Sequence, residues 1–200
     1  MFDSREKIAL FIDGPSLFSA SRSLGFEIDY RRVLEAFRRR GYLLRVYLYT
    51  AVIEDDAHKS MRSWIDWLDY NGYQVVTKVA VKFTDFAGQQ KIKGNMALEL
   101  AIDAMEQASN VDHLVIVTGD SVFLALVEAI QRKGRKVSIV STMLSRPPMV
   151  ADDLRRQADH FIDLATLQHE IARKPSKYRT AEAGRSAPAA TGNSIRVQDS

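Results

Sequence analysis

The sequence predicts an α/β domain, a three-layer sandwich built on a mainly parallel sheet. Three observations predict it. From Lys7 to Ala172, short β-rich apolar runs alternate with segments of helical spacing, the pattern of strands joined by right-handed crossovers. Two of those runs, Ile8–Gly14 and Leu114–Asp120, stop at an aspartate beside a glycine. Strand carboxyl ends are where sites form in such sheets. The remainder, Arg173–Ser200, is rich in Ala, Ser, Arg, Gly and Pro and lacks a core pattern. It is read as a disordered basic tail (173–200) behind a single domain (1–172).

The elements follow in order. Lys7–Ile12 reads as a buried strand. Ser16–Leu24 has helical spacing, with Gly25 as a stop. Asp29 is placed to cap a second helix, Tyr30–Arg40, which Gly41 ends. Leu43–Val52 is a long β-rich run. Ala57–Asn71 repeats Met61, Trp64, Ile65 and Leu68 on one helical face before Asn71-Gly72. Tyr73–Lys82 alternates like a strand, and Thr84–Gln90 reads as a turn or hairpin tip. Asn95–Gln107 is the strongest helix. Strand His113–Thr118, helix Ser121–Lys133, strand Lys136–Ser141, helix Val150–Ala158, short strand His160–Ile162 and helix Ala165–Ala172 complete the domain.

Composition bounds the chemistry. The chain has 200 residues, 46% hydrophobic and 26% charged, enough for one soluble domain with a sizeable core. There is no cysteine, which excludes disulfides, thiolate metal sites and cysteine nucleophiles. No apolar run approaches the roughly 18–20 residues of a membrane helix. Met1–Lys7 is charged and runs straight into a strand, unlike a signal peptide. A cytoplasmic protein with no membrane partner is the expectation. The net charge of +3 is uneven: the tail carries +4 and Met1–Ala172 carries −1. The basic character therefore belongs to the tail and is weak evidence for nucleic-acid binding by the domain.

The two strand-end aspartates, Asp13 and Asp120, carry the site argument. Carboxylates gathered at one sheet edge suit a hard cation, because Mg²⁺ and Mn²⁺ prefer oxygen ligands. Each also has a plain reading: Asp13 begins a turn, and Asp120 caps the helix after it. His58, His113, His160 and His169 show no metal spacing, and no Ser-His-Asp arrangement can be argued. The runs Arg38–Arg40 and Arg132–Lys136 read as solvated helix ends.

Four segments together resemble the NYN domain family, in its LabA-like branch of the PIN-like nuclease fold. They are Phe11-Ile12-Asp13-Gly14, Lys93-Gly94 opening a helix, Thr118-Gly119-Asp120-Ser121, and Ala158–Leu164. The resemblance covers about Lys7 to Leu164. It implies a five- or six-stranded parallel sheet with an acidic pocket at its carboxyl edge. The implied activity is that of a metal-dependent ribonuclease, a hydrolase using Mg²⁺ or Mn²⁺, with RNA as partner; a homodimer is left open. It maps the family's acids onto Asp13, Asp103 and Asp120 as catalytic residues and metal ligands. Ser16, Lys93, Asn95 and Ser121 stand as pocket or RNA contacts, with Asn95 also read as a helix cap.

Two acids implied by the resemblance are absent: Ala97 and Val122 occupy their places. Glu99 lies about 200° round the helix from Ala97 at roughly 100° per residue and points elsewhere. Fewer carboxylates mean weaker cation binding. The expectation is a weak or inactive nuclease site, with a non-catalytic RNA- or protein-binding member as the alternative. A phosphotransferase of the haloacid-dehalogenase type wants a second acid two residues after the first aspartate, and Pro15 stands there.

Overall fold

A computed structural model describes residues 2–53, 58–84 and 90–174. The tail beyond Lys174 and the centre of the Thr84–Gln90 turn lie outside the described residues. The central strand β1 (Lys7–Asp13) is buried on both faces and pairs in parallel with β2 (Tyr42–Ile53) and β5 (His113–Val117). Beyond β2 lies β3 (Gln74–Thr84); beyond β5 lie β6 (Lys136–Ser141) and β7 (His160–Asp163), all parallel. A short strand missed in the sequence, β4 (Gln90–Lys93), returns antiparallel on the β3 edge. The order is β4-β3-β2-β1-β5-β6-β7. The expected parallel α/β architecture is therefore present, with six parallel strands and one added edge strand.

Among the described residues, seven helices cover the two faces. α1 (Gly14–Ser23), α2 (Tyr30–Arg38), α3 (His58–Tyr70) and α7 (Leu164–Ile171) lie on one side, with Ile8, Leu10 and Ile12 of β1 beneath them. α4 (Ala97–Gln107), α5 (Leu124–Arg132) and α6 (Asp152–Gln157) lie on the other, over Ala9 and Phe11. Alternate β1 side chains thus feed two cores, which is why the strand reads as a continuous apolar run. Asp29 caps α2 as expected, accepting from the Arg31 and Arg32 amides. The helix expected over Ser121–Lys133 begins instead as a 3-10 turn, Ser121–Phe123, before α5. The Asp120 carboxylate caps that turn through the Val122 amide at 3.0 Å.

From β3 the chain returns through β4 and α4 to the far side of β1. The winding reverses between β1 and β5, the switch point where open α/β sheets form their crevice. At the opposite, amino-terminal edge a buried polar row ties three segments together. His113, fully buried, bonds Glu6 through Nδ1 at 3.1 Å and Ser138 through Nε2 at 2.7 Å. The sequence reading missed this row. Ser138 has no exposed surface, so its hydroxyl meets no substrate and the row is structural. Phe2 stacks on the imidazole at 4.7 Å, and Lys136 holds Glu6 from outside. Burial holds His113 below its ordinary value of 6.5, against the pull of Glu6. It is therefore neutral, with its proton on Nδ1 facing the carboxylate.

Because the folded His113 resists protonation, the unfolded chain takes the proton first. The stability it contributes is present above about pH 6.5 and is lost as pH falls below it. Urea midpoints should drop between pH 7.5 and 5.5, and less so in His113→Gln. Ser138→Ala leaves a buried ring nitrogen unpaired and should cost about 1–3 kcal/mol in the same titration at pH 7.5.

Candidate active site at the sheet switch point

Parallel register brings the site together. Asp13, the last residue of β1, lies beside Tyr49 of β2. On the other flank Ile12 pairs with Val117, so the chain delivers Thr118-Gly119-Asp120 next to Asp13. Asp13, Asp120 and Tyr49 line one pocket of about 220 Å³ with Pro15, Asn95, Met96, Ala97 and Phe123. Thr118 bridges the two acids: its hydroxyl accepts from the Asp120 amide at 3.3 Å and reaches Asp13 Oδ2 at a long 3.5 Å. Ser16 donates to the same Oδ2 at 2.6 Å.

Two glycines permit the approach. A Cβ on Gly14 would sit 2.8 Å from the Tyr49 carbonyl oxygen, and one on Gly119 only 1.6 Å from that of Met149. The loop after β6 is thereby held against the Gly119 turn, where Ala151 donates to the Gly119 carbonyl at 2.9 Å.

The other expected residues lie as follows. Asp103 is half-buried on α4 and accepts from the Tyr49 hydroxyl at 2.8 Å. It is not among the pocket's lining residues; Tyr49 is, so Asp103 meets the pocket through that phenol. Asn95 lines the pocket and accepts from the Ala97 amide at 2.6 Å, but the cap position of α4 is Met96, one residue later than expected. Ser121 opens the 3-10 turn, exposed and outside the lining. Lys93 ends β4 opposite Val81; its side chain lies outside the described part. Ala97 lines the acidic pocket, whereas Val122 faces an adjoining apolar cleft of about 610 Å³ between α4 and α5. Glu99 pairs with Lys78 at 2.6 Å, away from the pocket as its helical angle predicts. Among the described residues, no three His, Asp or Glu side chains converge as a metal-holding group.

Burial pushes the Asp13 carboxyl up, as does the Asp120 charge, while the Ser16 and Thr118 hydrogen bonds pull it down; the net direction is up. Tyr49 is also raised, by burial and by Asp103, so it remains a phenol donor. Two neighbouring carboxylates, one disfavoured as an anion, form a donor set that suits a hard cation. With two protein carboxylates, most of its coordination would be water. In the sequence Thr118 stands only as part of a motif and Tyr49 only inside a β-rich run, neither marked as a site residue. Strand register, which the sequence alone does not display, brings them beside Asp13.

A model of the NYN domain matches residues 7–166. The chain belongs to the NYN domain family. This NYN protein is 31% identical over 169 residues to the low amplitude and bright protein LabA of Synechococcus elongatus, covering 82% of this chain and 87% of that one. It also resembles a crystal structure of a protein of unknown function from Vibrio parahaemolyticus. There the TM-score is 0.66 at 25% identity, over 82% of this chain and 96% of the other. The six-stranded parallel sheet agrees with the PIN-like fold that the sequence resemblance implied.

A carboxyl raised in the fold adds stability below its unfolded value and loses it as pH rises through the folded one. At neutral pH the Asp13 charge therefore costs the NYN fold stability. Asp13→Asn should melt higher than the unmodified chain at pH 7.5 by calorimetry. The gap should close as pH falls from neutrality through the raised Asp13 value, and be gone below the ordinary aspartate value.

Proposed function

We propose that this NYN protein is a ribonuclease-fold RNA binder whose Mg²⁺- or Mn²⁺-dependent cleavage is weak or lost. The observation that carries the reading is the composition of one pocket. Asp13 and Asp120 face it together, and Ala97, where the family resemblance implies a further acid, lines the same wall. Asp13 and Asp120 would hold the cation, with Asn95 at the rim. A bound divalent ion supplies an activated water and neutralises charge at a scissile phosphate. Thr118 and Ser16 orient Asp13, and Asp103 fixes the Tyr49 phenol at the back of the pocket. With two direct carboxylates the cation is loosely held and the attacking water poorly placed.

A second reading is a non-catalytic protein-binding member. It draws on the cleft beside the pocket, where Val122 and Leu98 are 55% and 68% exposed.

The test is a paired assay on single-stranded RNA with Mn²⁺. The unmodified chain should cut slowly or not at all. Ala97→Asp/Val122→Asp should cut at least about tenfold faster, the scale of a restored ligand in a positioned site, and Asp13→Asn should be inactive. The melting temperature of the restored variant should rise more with Mn²⁺ than that of the unmodified chain. Robust cleavage by the unmodified chain, abolished in Asp13→Asn, would overturn the impaired-site reading. Absence of any gain in the restored variant would favour binding without cutting.

A further inference from the structure

Two depressions lie on the helical face formed by α1, α2 and α3. The first, about 240 Å³, runs from Phe18 and Arg22 of α1 to Trp64 of α3. The second, about 540 Å³, continues past Trp67 to Arg31 and Arg173. They share Ile28, Tyr30 and Trp64 and so form one track. Its upper end is close to the acidic pocket along the chain: Phe18 follows Ser16, whose hydroxyl holds Asp13, on the same helix.

The chemistry of the track is specific. Phe18 is 57% exposed, and the Arg22 guanidinium lies 5.5 Å from its ring centroid. The Arg31 guanidinium lies 5.2 Å from the Trp67 ring. Tyr30 meets Trp64 edge-on at 5.5 Å. Neither Arg22 nor Arg31 forms an ion pair among the described residues, whereas the acids nearby are engaged. Asp29 accepts from the Arg31 and Arg32 amides, and Glu27 pairs with Arg173 at 3.5 Å. Rings with guanidiniums laid over them offer π-faces for bases and cations for phosphates, the combination that holds single strands without sequence readout. Aliphatic anchors, which a docked peptide helix would use, are represented by Ile28 alone.

We propose that the α1–α3 track binds single-stranded RNA, with Arg22 and Arg31 on phosphates and the exposed Phe18 and half-buried Trp64 and Trp67 rings stacking bases. The proposal rests on the RNA reading above, but it concerns a surface outside the acidic pocket and needs no metal.

The chain supplies its own reporter, since its two tryptophans, Trp64 and Trp67, both line the track. Full-length protein in EDTA is titrated with a 12-nucleotide oligoadenylate RNA while tryptophan fluorescence is read. Saturable quenching is expected, and a duplex of equal length should quench far less. Arg22→Gln/Arg31→Gln, at exposed positions, should weaken binding fivefold or more while circular dichroism and melting stay unchanged. It should also flatten the salt dependence by about 1.4 in log–log slope, two single-strand phosphates at roughly 0.7 each. Phe18→Ala should weaken binding without changing that slope. Absence of quenching, unchanged affinity in the double variant, or equal quenching by duplex or by polyglutamate would overturn the proposal. The two readings fail separately. Loss of track binding with cleavage intact removes only the track, and track binding with no response to the restored acids removes only the nuclease reading.

Discussion

The parallel pairing of β1 between β2 and β5 is the constraint on which the rest depends. It buries Ile8 to Ile12 on both faces, so one strand seeds both hydrophobic cores. It also places the reversal of winding beside β1, and with it the only kind of gap an open α/β sheet leaves uncovered. The strand must end where the helices diverge, and it ends in Asp13. A one-residue slip of β5 against β1 would move Thr118 away from Asp13 and exchange the side chains that feed the two cores. Fold stability and site geometry are therefore set by the same register.

Within that gap the fold accepts an electrostatic cost. Asp13 is withdrawn from water and lies near Asp120, and both effects disfavour its anion. Ser16 and Thr118 recover part of the loss through hydrogen bonds to Oδ2, without neutralising the charge. The opposite edge of the sheet solves a similar problem differently. There His113 is buried neutral, its two nitrogens are satisfied, and Glu6 is held by Lys136 from outside. The amino-terminal row is thus fully paired within the protein, whereas the Asp13 carboxylate is only partly compensated.

Much of this was legible in the sequence because it depends on local signals. Apolar, β-rich or alternating runs marked the six parallel strands, and Asp29 and Asp120 were identifiable as caps from the helices that follow them. β4 was not legible: Gln90–Lys93 has three polar or basic residues around the single Ile92, too short a run to show alternation, and it pairs along the β3 edge. The site was legible to the extent that it is one-dimensional. Asp13 and Asp120 sit at motif ends, while Tyr49 and Thr118 enter through cross-strand register, which a single chain does not display. The Glu6–His113–Ser138 row escaped for the same reason, its members being spread across three segments of the sequence.

Asp103 shows how topology sets the reach of a helix residue. The resemblance places it with the other acids, yet α4 presents Ala97 to the pocket from its first turn while Asp103 stands in the second, outside the lining. At a rise of about 1.5 Å per residue, six residues carry the later side chain some 9 Å further along the helix. The Tyr49 phenol lines the pocket and donates to Asp103, and its burial and the Asp103 charge keep it protonated. Ala97 lines the pocket with Asp13 and Asp120, whereas Asp103 meets it through the hydrogen bond from the Tyr49 hydroxyl. Ala97 thus sets an apolar patch in the wall that holds the paired carboxylates. It opens without a break into the cleft lined by Ala97, Leu98 and Val122.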